Sequence, residues 1–115
     1  MSPDSLMIRS ANLLGTTLKD GAGRKLGTIR EVFFERDTGQ ARFVILELGG
    51  LLGTGGKFHP IPWRELRFDE KADGYLTDLT KDKVKSSPAY DRDQLNDTAY
   101  AWSEQTERYF RVDPI

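Results

Sequence analysis

The stretch Gly49-Gly-Leu-Leu-Gly-Thr-Gly-Gly-Lys57 decides the fold, and Ile61-Pro-Trp63 follows it after a short gap. It lies between two segments whose composition is typical of strands. Its glycines permit a tight, unusual backbone path from one strand to the next. Together with the glycine turns upstream, this stretch predicts a small closed β-barrel. Leu51 and Leu52 stand at its centre, where a loop is normally polar, so they either form a contact patch for a partner or tuck under the open end of the barrel.

Working outward from this loop, glycine-containing turns separate five segments with strand character. Asp20-Gly-Ala-Gly23 and Asp73-Gly74 are hairpin turn signals, because glycine accepts positive φ. The apolar stretch that follows Gly27 is too dense for strict alternation and predicts a bend or bulge. Short strands separated by such turns favour a barrel or sandwich over βαβ units. The predicted strands cover residues 13–18, 25–35, 40–48, 57–66 and 75–79.

The third predicted strand, residues 40–48, is apolar on both faces. Phe43 and Ile45 point to one side, and Val44, Leu46 and Leu48 point to the other. Such a strand has to be covered on both faces. The barrel interior covers one face, and a helix, the chain's own tail or a partner subunit has to cover the other. The fourth segment contains Pro60 and Pro62, which cannot donate ladder hydrogen bonds, so we expect it at an edge of the sheet or irregular.

The remainder of the chain has helical character. Thr80 is a candidate cap for a short helix over residues 81–85, and Asp91 with Gln94 has the spacing of a capping box. An apolar stripe at helical intervals follows, which predicts an amphipathic C-terminal helix packed on its own barrel or on that of a twin. Trp102 and Tyr109 are the candidate partner-binding residues of that stripe, whose members are Leu95, Ala99, Trp102, Thr106 and Tyr109.

Composition excludes several classes of function. The near balance of 17 basic and 18 acidic residues argues against a general nucleic-acid binder, which needs a basic surface. The absence of cysteine excludes disulfides, thiolate catalysis and zinc–thiolate sites. No run approaches the roughly 20 apolar residues that span a bilayer, and the first residues lack the pattern of a signal peptide. We therefore expect no membrane span and a cytoplasmic location.

No motif of catalysis or cofactor binding stands out. The glycine loop fails as a phosphate-binding loop, because Leu51 occupies the first glycine position and Phe58 follows Lys57. His59 is the only histidine and lacks the partners that acid–base catalysis or a metal site requires. Trp102 could stack on bases, but acidic residues surround it and would repel phosphate. We predict no catalytic residues, no metal site and no cofactor.

The pieces taken together resemble the PRC-barrel family. The resemblance rests on the order and spacing of several short motifs: Leu14-Gly-Thr-Thr-Leu-Lys-Asp20, Gly23-Arg-Lys-Leu-Gly-Thr-Ile29, Asp37-Thr-Gly39, Phe43-Val-Ile-Leu-Glu-Leu-Gly-Gly50, Gly53-Thr-Gly-Gly-Lys57 and Ile61-Pro-Trp63. It implies a mainly β fold, a small and strongly bent barrel of about five to six strands with a C-terminal helical tail. On this basis we divide the chain into a leader (1–12), the barrel (13–87) and the tail (88–115).

The resemblance also implies a role. Members of this family are generally regarded as adaptors that hold protein partners, and they share no catalytic residues that transfer to this chain. We therefore expect a non-enzymatic adaptor or scaffold that binds itself, as a homodimer, and a second protein. The alternatives come from two relatives, the ribosome-maturation factor RimM and the photosynthetic reaction-centre H subunit. They are an accessory role in ribosome maturation or RNA processing, and a peripheral role in a photosynthetic electron-transport complex.

Overall fold

The computed structural model describes residues 7–49 and 57–111, so Leu51 and Leu52 lie outside the described residues. Within these ranges the chain forms six strands, four short helices and one 3-10 turn. No helix there is long and apolar enough to cross a membrane. In chain order the elements are α1 Ser10–Leu13, β1 Thr17–Asp20, β2 Lys25–Phe34, β3 Ala41–Glu47, β4 His59–Pro62, the 3-10 turn Trp63–Glu65, β5 Leu66–Asp69, β6 Gly74–Thr77, α2 Lys81–Lys85, α3 Arg92–Leu95 and α4 Ala101–Phe110.

The six strands form one sheet in the order β4-β3-β2-β1-β6-β5. Neighbouring strands are antiparallel except β1 and β6, which run parallel. The expected mainly β, bent barrel-like sheet with a helical tail is confirmed. The expected closure of the barrel is wrong, because β4 and β5 are the two edges of the sheet and do not pair with each other. Pro60 and Pro62 explain one side of this opening, since β4 lacks the donors for another strand, as expected for an edge.

The bend of the sheet is located in β2. A side chain at Gly27 would place its Cβ 2.7 Å from the carbonyl oxygen of Glu47 and 2.9 Å from Leu46 Cγ, so any other residue would force β2 and β3 apart. Immediately afterwards the register shifts, because Ile29 pairs with Leu46 whereas Glu31 pairs with Ile45. The extra residue is the bulge that the sequence predicted, and it increases the local twist.

Strand β3 separates two apolar cores, as its two-sided pattern predicted. One core lies inside the bent sheet and includes Val44, Leu46 and Leu48 with residues of β1, β2, β4 and α2. The other contains Phe43 and Ile45, which the tail covers with Tyr90, Leu95 and Trp102. The chain therefore covers the second face of β3 with its own tail.

Three predicted elements were wrong in detail. The predicted first strand, residues 13–18, is displaced toward the C-terminus. Helix α1 ends at Leu13, Gly15 turns the chain with φ +86°, and β1 runs from Thr17 to Asp20. The predicted strand 57–66 is split by the 3-10 turn that follows Pro62, which separates β4 from β5. The single predicted C-terminal helix is two helices. Helix α3 ends at Leu95, and α4 begins after Tyr100, whose left-handed conformation with φ +53° prevents a continuous helix.

The short helices begin where their caps predicted. The Thr80 hydroxyl accepts a hydrogen bond from the Lys83 amide at the start of α2. Asp91 and Gln94 form a reciprocal capping box at the start of α3, with both bonds at 2.8 Å. These bonds satisfy backbone donors that helix ends otherwise leave unpaired.

Candidate partner-binding surface

A large open groove lies between the N-terminal segment, β1 and the β5–β6 hairpin. Its volume is about 1390 Å³, which exceeds the range of a few hundred to about 1,000 Å³ typical of small-molecule pockets. We call it the hairpin groove. It is lined by Met7, Ile8, Arg9, Asn12, Thr16, Thr17, Lys19, Lys25, Phe68, Glu70, Ala72, Asp73, Gly74, Tyr75 and Leu76.

Three large exposed apolar side chains lie around this groove, whereas Leu14, Phe34 and Tyr100 are exposed outside it. Met7 is 93% exposed, and Ile8 and Phe68 are 42% and 47% exposed. The chain thus leaves three large apolar side chains in water around one depression. Clusters of this kind are typical of interaction sites, whereas single exposed apolar residues are not informative.

The hairpin wall is held rigid by aromatic packing and a short turn. Phe68 and Tyr75 face each other across β5 and β6, with ring centroids 5.4 Å apart in an edge-to-face arrangement. Tyr75 also packs on Trp63 at 5.2 Å, and burial raises the pKa of the Tyr75 phenol. At the tip, the carboxylate of Asp69 accepts a hydrogen bond from the Ala72 amide at 2.9 Å. The position of Phe68 is therefore fixed by the fold.

The charges of the groove are separated between its walls. Arg9, Lys19 and Lys25 belong to the N-terminal segment and to the β1–β2 hairpin, whereas Glu70 and Asp73 belong to the β5–β6 hairpin. None of the three basic residues takes part in an ion pair within residues 7–49 and 57–111. A ligand that carries acidic groups along one side only would complement this distribution.

The turn that positions Lys19 and Lys25 is organised by a buried carboxylate. Asp20 Oδ1 accepts hydrogen bonds from the amides of Arg24 and Ala22, both at 2.9 Å, and Oδ2 accepts one from Arg24 Nε at 3.1 Å. The backbone hydrogen bond from Arg24 is the main cause that lowers the pKa of Asp20. The carboxylate holds the tight turn, so the two lysines project from fixed backbone positions.

The structure places Trp102 away from this groove. It lies in α4, is 4% exposed, and packs edge-to-face on Phe33 and Phe43 at 5.0 and 5.2 Å. Tyr109 is half-buried at the other end of α4, where its hydroxyl donates to the Lys83 carbonyl and the Lys83 ammonium lies 4.1 Å from its ring centre. The structure does not bring these two residues together with each other or with the groove. Their role in binding a partner, like that of Leu51 and Leu52, stays a prediction.

His59 has a hydroxyl partner, but the arrangement does not activate a nucleophile. Its Nδ1 lies 2.9 Å from Ser87 Oγ, and Ser87 Oγ donates its proton to the Val84 carbonyl at 2.6 Å. Nδ1 therefore carries the hydrogen and donates to the hydroxyl, which is the reverse of a general base taking a proton from a serine. Both side chains are buried, and burial lowers the pKa of His59. The pair joins β4 to the end of α2 as a structural contact.

No cluster of three metal-ligating side chains occurs in residues 7–49 and 57–111. The groove-lining residues include no histidine, and the described part of the groove contains no pairing of a nucleophile with a base. What the groove offers is apolar surface with separated charges.

Sequence reasoning missed the groove because its parts come from distant segments. Met7 and Ile8 fell in the expected leader, and Phe68 fell beside a turn, where a single aromatic residue carries no periodic signal. Ser87 was missed as the partner of His59 for the same reason, since 28 residues separate the two. The apolar run Leu6-Met7-Ile8 in the leader was the available hint.

Comparisons with known proteins cover most of the chain, including the barrel. A family model described as "PRC-barrel domain" matches residues 6–84. The chain is similar to an uncharacterised protein of Deinococcus radiodurans, with 31% identity over 83 residues. This alignment covers 72% of the chain but only 29% of that relative, so the chain spans less than a third of the relative's length.

Among solved structures, the chain is similar to a Pseudomonas aeruginosa protein described as the 16S ribosomal RNA processing protein RimM. The superposition covers 71% of this chain and 50% of that chain, with a TM-score of 0.47 and 14% sequence identity.

Proposed function

Because the chain belongs to the PRC-barrel domain family, whose model matches residues 6–84, we propose that it is a non-enzymatic protein-interaction module that binds a partner protein in the hairpin groove. The partner segment carries apolar side chains, with acidic residues on the side that faces Arg9, Lys19 and Lys25. The module acts in the cytoplasm and also binds a second copy of itself.

The observation that carries this proposal is the exposure of Met7, Ile8 and Phe68 around one groove. Water contact with such side chains is unfavourable, by roughly 25 cal/mol for each Å² of apolar surface, and a partner that covers them recovers this free energy. The size of the groove favours a segment of protein over a small metabolite. The lining residues supply no acid–base pair, which favours recognition over catalysis.

The two alternative roles rest on relatives alone. At the level of similarity found, RimM carries no argument about what this chain does. A role in ribosome maturation and a role beside a photosynthetic complex therefore stay predictions of the family resemblance.

Site-specific photocrosslinking tests the proposal in the native host. A photoreactive phenylalanine analogue replaces Phe68 in the full chain, and the matched control replaces Phe34, which is 59% exposed and does not line the groove. We expect a discrete adduct with a different protein from position 68 and none from position 34. Equal labelling from both positions, or no heterologous adduct from position 68, would refute the groove as the partner site.

Charge reversal checks the predicted polarity of the partner. Lys19→Glu with Lys25→Glu should abolish the adduct from position 68, whereas Lys81→Glu with Lys85→Glu, which makes the same change of charge outside the groove, should preserve it. A partner captured equally well by both double variants would contradict the assignment of an acidic flank.

A further inference from the structure

The two edges of the sheet differ in a way that concerns association. All four residues of β4 are buried, two of them are prolines, and α4 packs against this strand. Strand β5 contains no proline, and two of its four residues, Arg67 and Phe68, are exposed. Among residues 7–49 and 57–111, β5 is therefore the edge that remains open to another strand.

The backbone groups at the open edge of β5 can be assigned from one hydrogen bond. The Leu66 amide donates to the Trp63 carbonyl and so points away from β6. In an antiparallel ladder, alternate residues point the same way, which directs the amide and carbonyl of Phe68 outward as well. No hydrogen bond from these Phe68 groups to a backbone outside the β5–β6 ladder occurs within the described residues. Phe68 thus presents a free donor and acceptor at the middle of the edge.

We propose that β5 is the surface through which two copies of this chain associate, with the strands antiparallel about a two-fold axis at Phe68. In any such symmetric pairing one residue lies opposite its own copy. Centring at Arg67 or at Asp69 would oppose like charges, and centring at Leu66 is excluded because its amide is already bonded. Centring at Phe68 avoids both the repulsion of like charges and the loss of an amide donor.

This register also pairs opposite charges. With Phe68 opposite its own copy, Arg67 lies opposite Asp69 of the second chain, and the two-fold axis repeats the pair. Directly opposed side chains in antiparallel strands have Cβ atoms about 4.5–5.5 Å apart, within reach of an ion pair. Within the described residues Arg67 forms its ion pair with the 83% exposed carboxylate of Asp78, at 3.3 Å, and such an exposed pair can be exchanged for one with the second copy.

Short edge strands that carry charges usually prevent association, because burying a charge against the strand of another protein is unfavourable. In β5 the order Arg-Phe-Asp permits association with a second copy, since two antiparallel copies of it place each arginine opposite an aspartate. The association that follows is selective for the same sequence. It is also weak, because only four residues of each strand take part.

Charge reversal tests the register directly. Sedimentation of the full chain from about 10 µM to about 1 mM should show a dimer in the wild type. Arg67→Asp and Asp69→Arg should each raise the dimer dissociation constant by about tenfold or more, because each creates two repulsive pairs, and the double variant that exchanges the two residues should restore it. Arg36→Asp, at a residue 91% exposed in a turn, is the matched control and should have no effect.

A crosslinking measurement does not depend on the strength of the dimer. The chain contains no cysteine, so Phe68→Cys introduces one thiol that lies opposite its own copy. Opposed residues of a hydrogen-bonded pair have Cα atoms about 5.5 Å apart, which fits a disulfide. Mild oxidation should link Phe68→Cys chains much faster than Thr38→Cys chains, whose thiol lies in the exposed β2–β3 turn.

Three results would overturn the proposal: a wild type that is monomeric throughout the range, a dimer that survives both single reversals, or equal crosslinking at positions 68 and 38. The inference rests on the self-association included in the proposed function, and a monomeric wild type would remove both. The partner site in the hairpin groove keeps its own test, because Arg67 and Asp69 are not among its lining residues. In the photocrosslinking experiment, an adduct of twice the chain mass reports the dimer and a heterologous adduct reports the partner.

Discussion

Replacement of Trp102 by alanine tests whether the tail covers the sheet of its own chain. The side chain is 4% exposed and contacts the rings of Phe33 and Phe43. Burial of an indole of about 200 Å² at about 25 cal/mol per Å² predicts a loss near 5 kcal/mol, and core Trp→Ala substitutions cost about 3–5 kcal/mol. Because domains of this size have about 5–15 kcal/mol of stability, Trp102→Ala should remain folded but near its limit.

Urea unfolding followed by circular dichroism measures the loss. A slope of about 1.5 kcal/mol/M converts the expected change into a midpoint lower by about 2 M or more. The shift should be the same at low and high protein concentration, since the contact is within one chain. Trp102→Phe is the comparison: it keeps an aromatic ring and removes the indole N–H, which has no partner among the described residues, so it should cost under about 1.5 kcal/mol. A Trp102→Ala midpoint near that of the wild type would refute the packing of α4 on β3.

Three further outcomes concern the rest of the fold. Gly27→Ala should cost about 2–3 kcal/mol in thermal melts, because its Cβ would lie 2.7 Å from a backbone oxygen, whereas Gly21→Ala, with nothing nearer than 3.9 Å, should stay within about 0.5 kcal/mol. Burial lowers the pKa of His59 below its usual 6.5, so on acidification the unfolded chain binds a proton at a higher pH than the folded chain. The free energy of unfolding therefore keeps its full value above pH 6.5 and falls as the pH drops from 6.5 toward the pKa of the folded state. His59→Gln should flatten this part of a urea–pH profile, and an unchanged slope would contradict the assignment. Asp91→Ala should cost about 1 kcal/mol by removing the cap of α3, and Asp91→Asn should cost less.

Sequence patterns predicted those parts of the fold that are determined locally. The caps at Thr80 and Asp91 depend on residues three positions apart, and the two-sided burial of β3 depends on simple alternation. Patterns failed where one residue interrupts a periodic run. The apolar stripe through Ala99 suggested a continuous helix, yet the left-handed Tyr100 divides it, and no propensity predicts a non-glycine residue there.

The candidate site was beyond local patterns for a different reason. Met7 and Phe68 are brought to one groove by the parallel pairing of β1 with β6, which joins distant segments of the chain. The sequence expectation placed contacts at Trp102 because a large aromatic residue on an amphipathic helix suits either a core or an interface equally. The burial of such a residue is a property of the whole fold, so a local pattern cannot assign it to a core or to an interface.

Within residues 7–49 and 57–111, buried polar atoms without a partner are concentrated where the tail meets the sheet. Three buried polar atoms lack a hydrogen-bond partner among the described residues: His59 Nε2, Trp102 Nε1 and Thr106 Oγ1. All three belong to α4 or to β4, the strand on which α4 packs. Each such group costs about 1–3 kcal/mol, so the apolar contacts of α4 are partly offset where the tail meets the sheet. Elements of low local stability open before the whole domain unfolds. Opening of α4 would expose Phe33 and Phe43. The domain would then present a second apolar face, which α4 covers in the closed form.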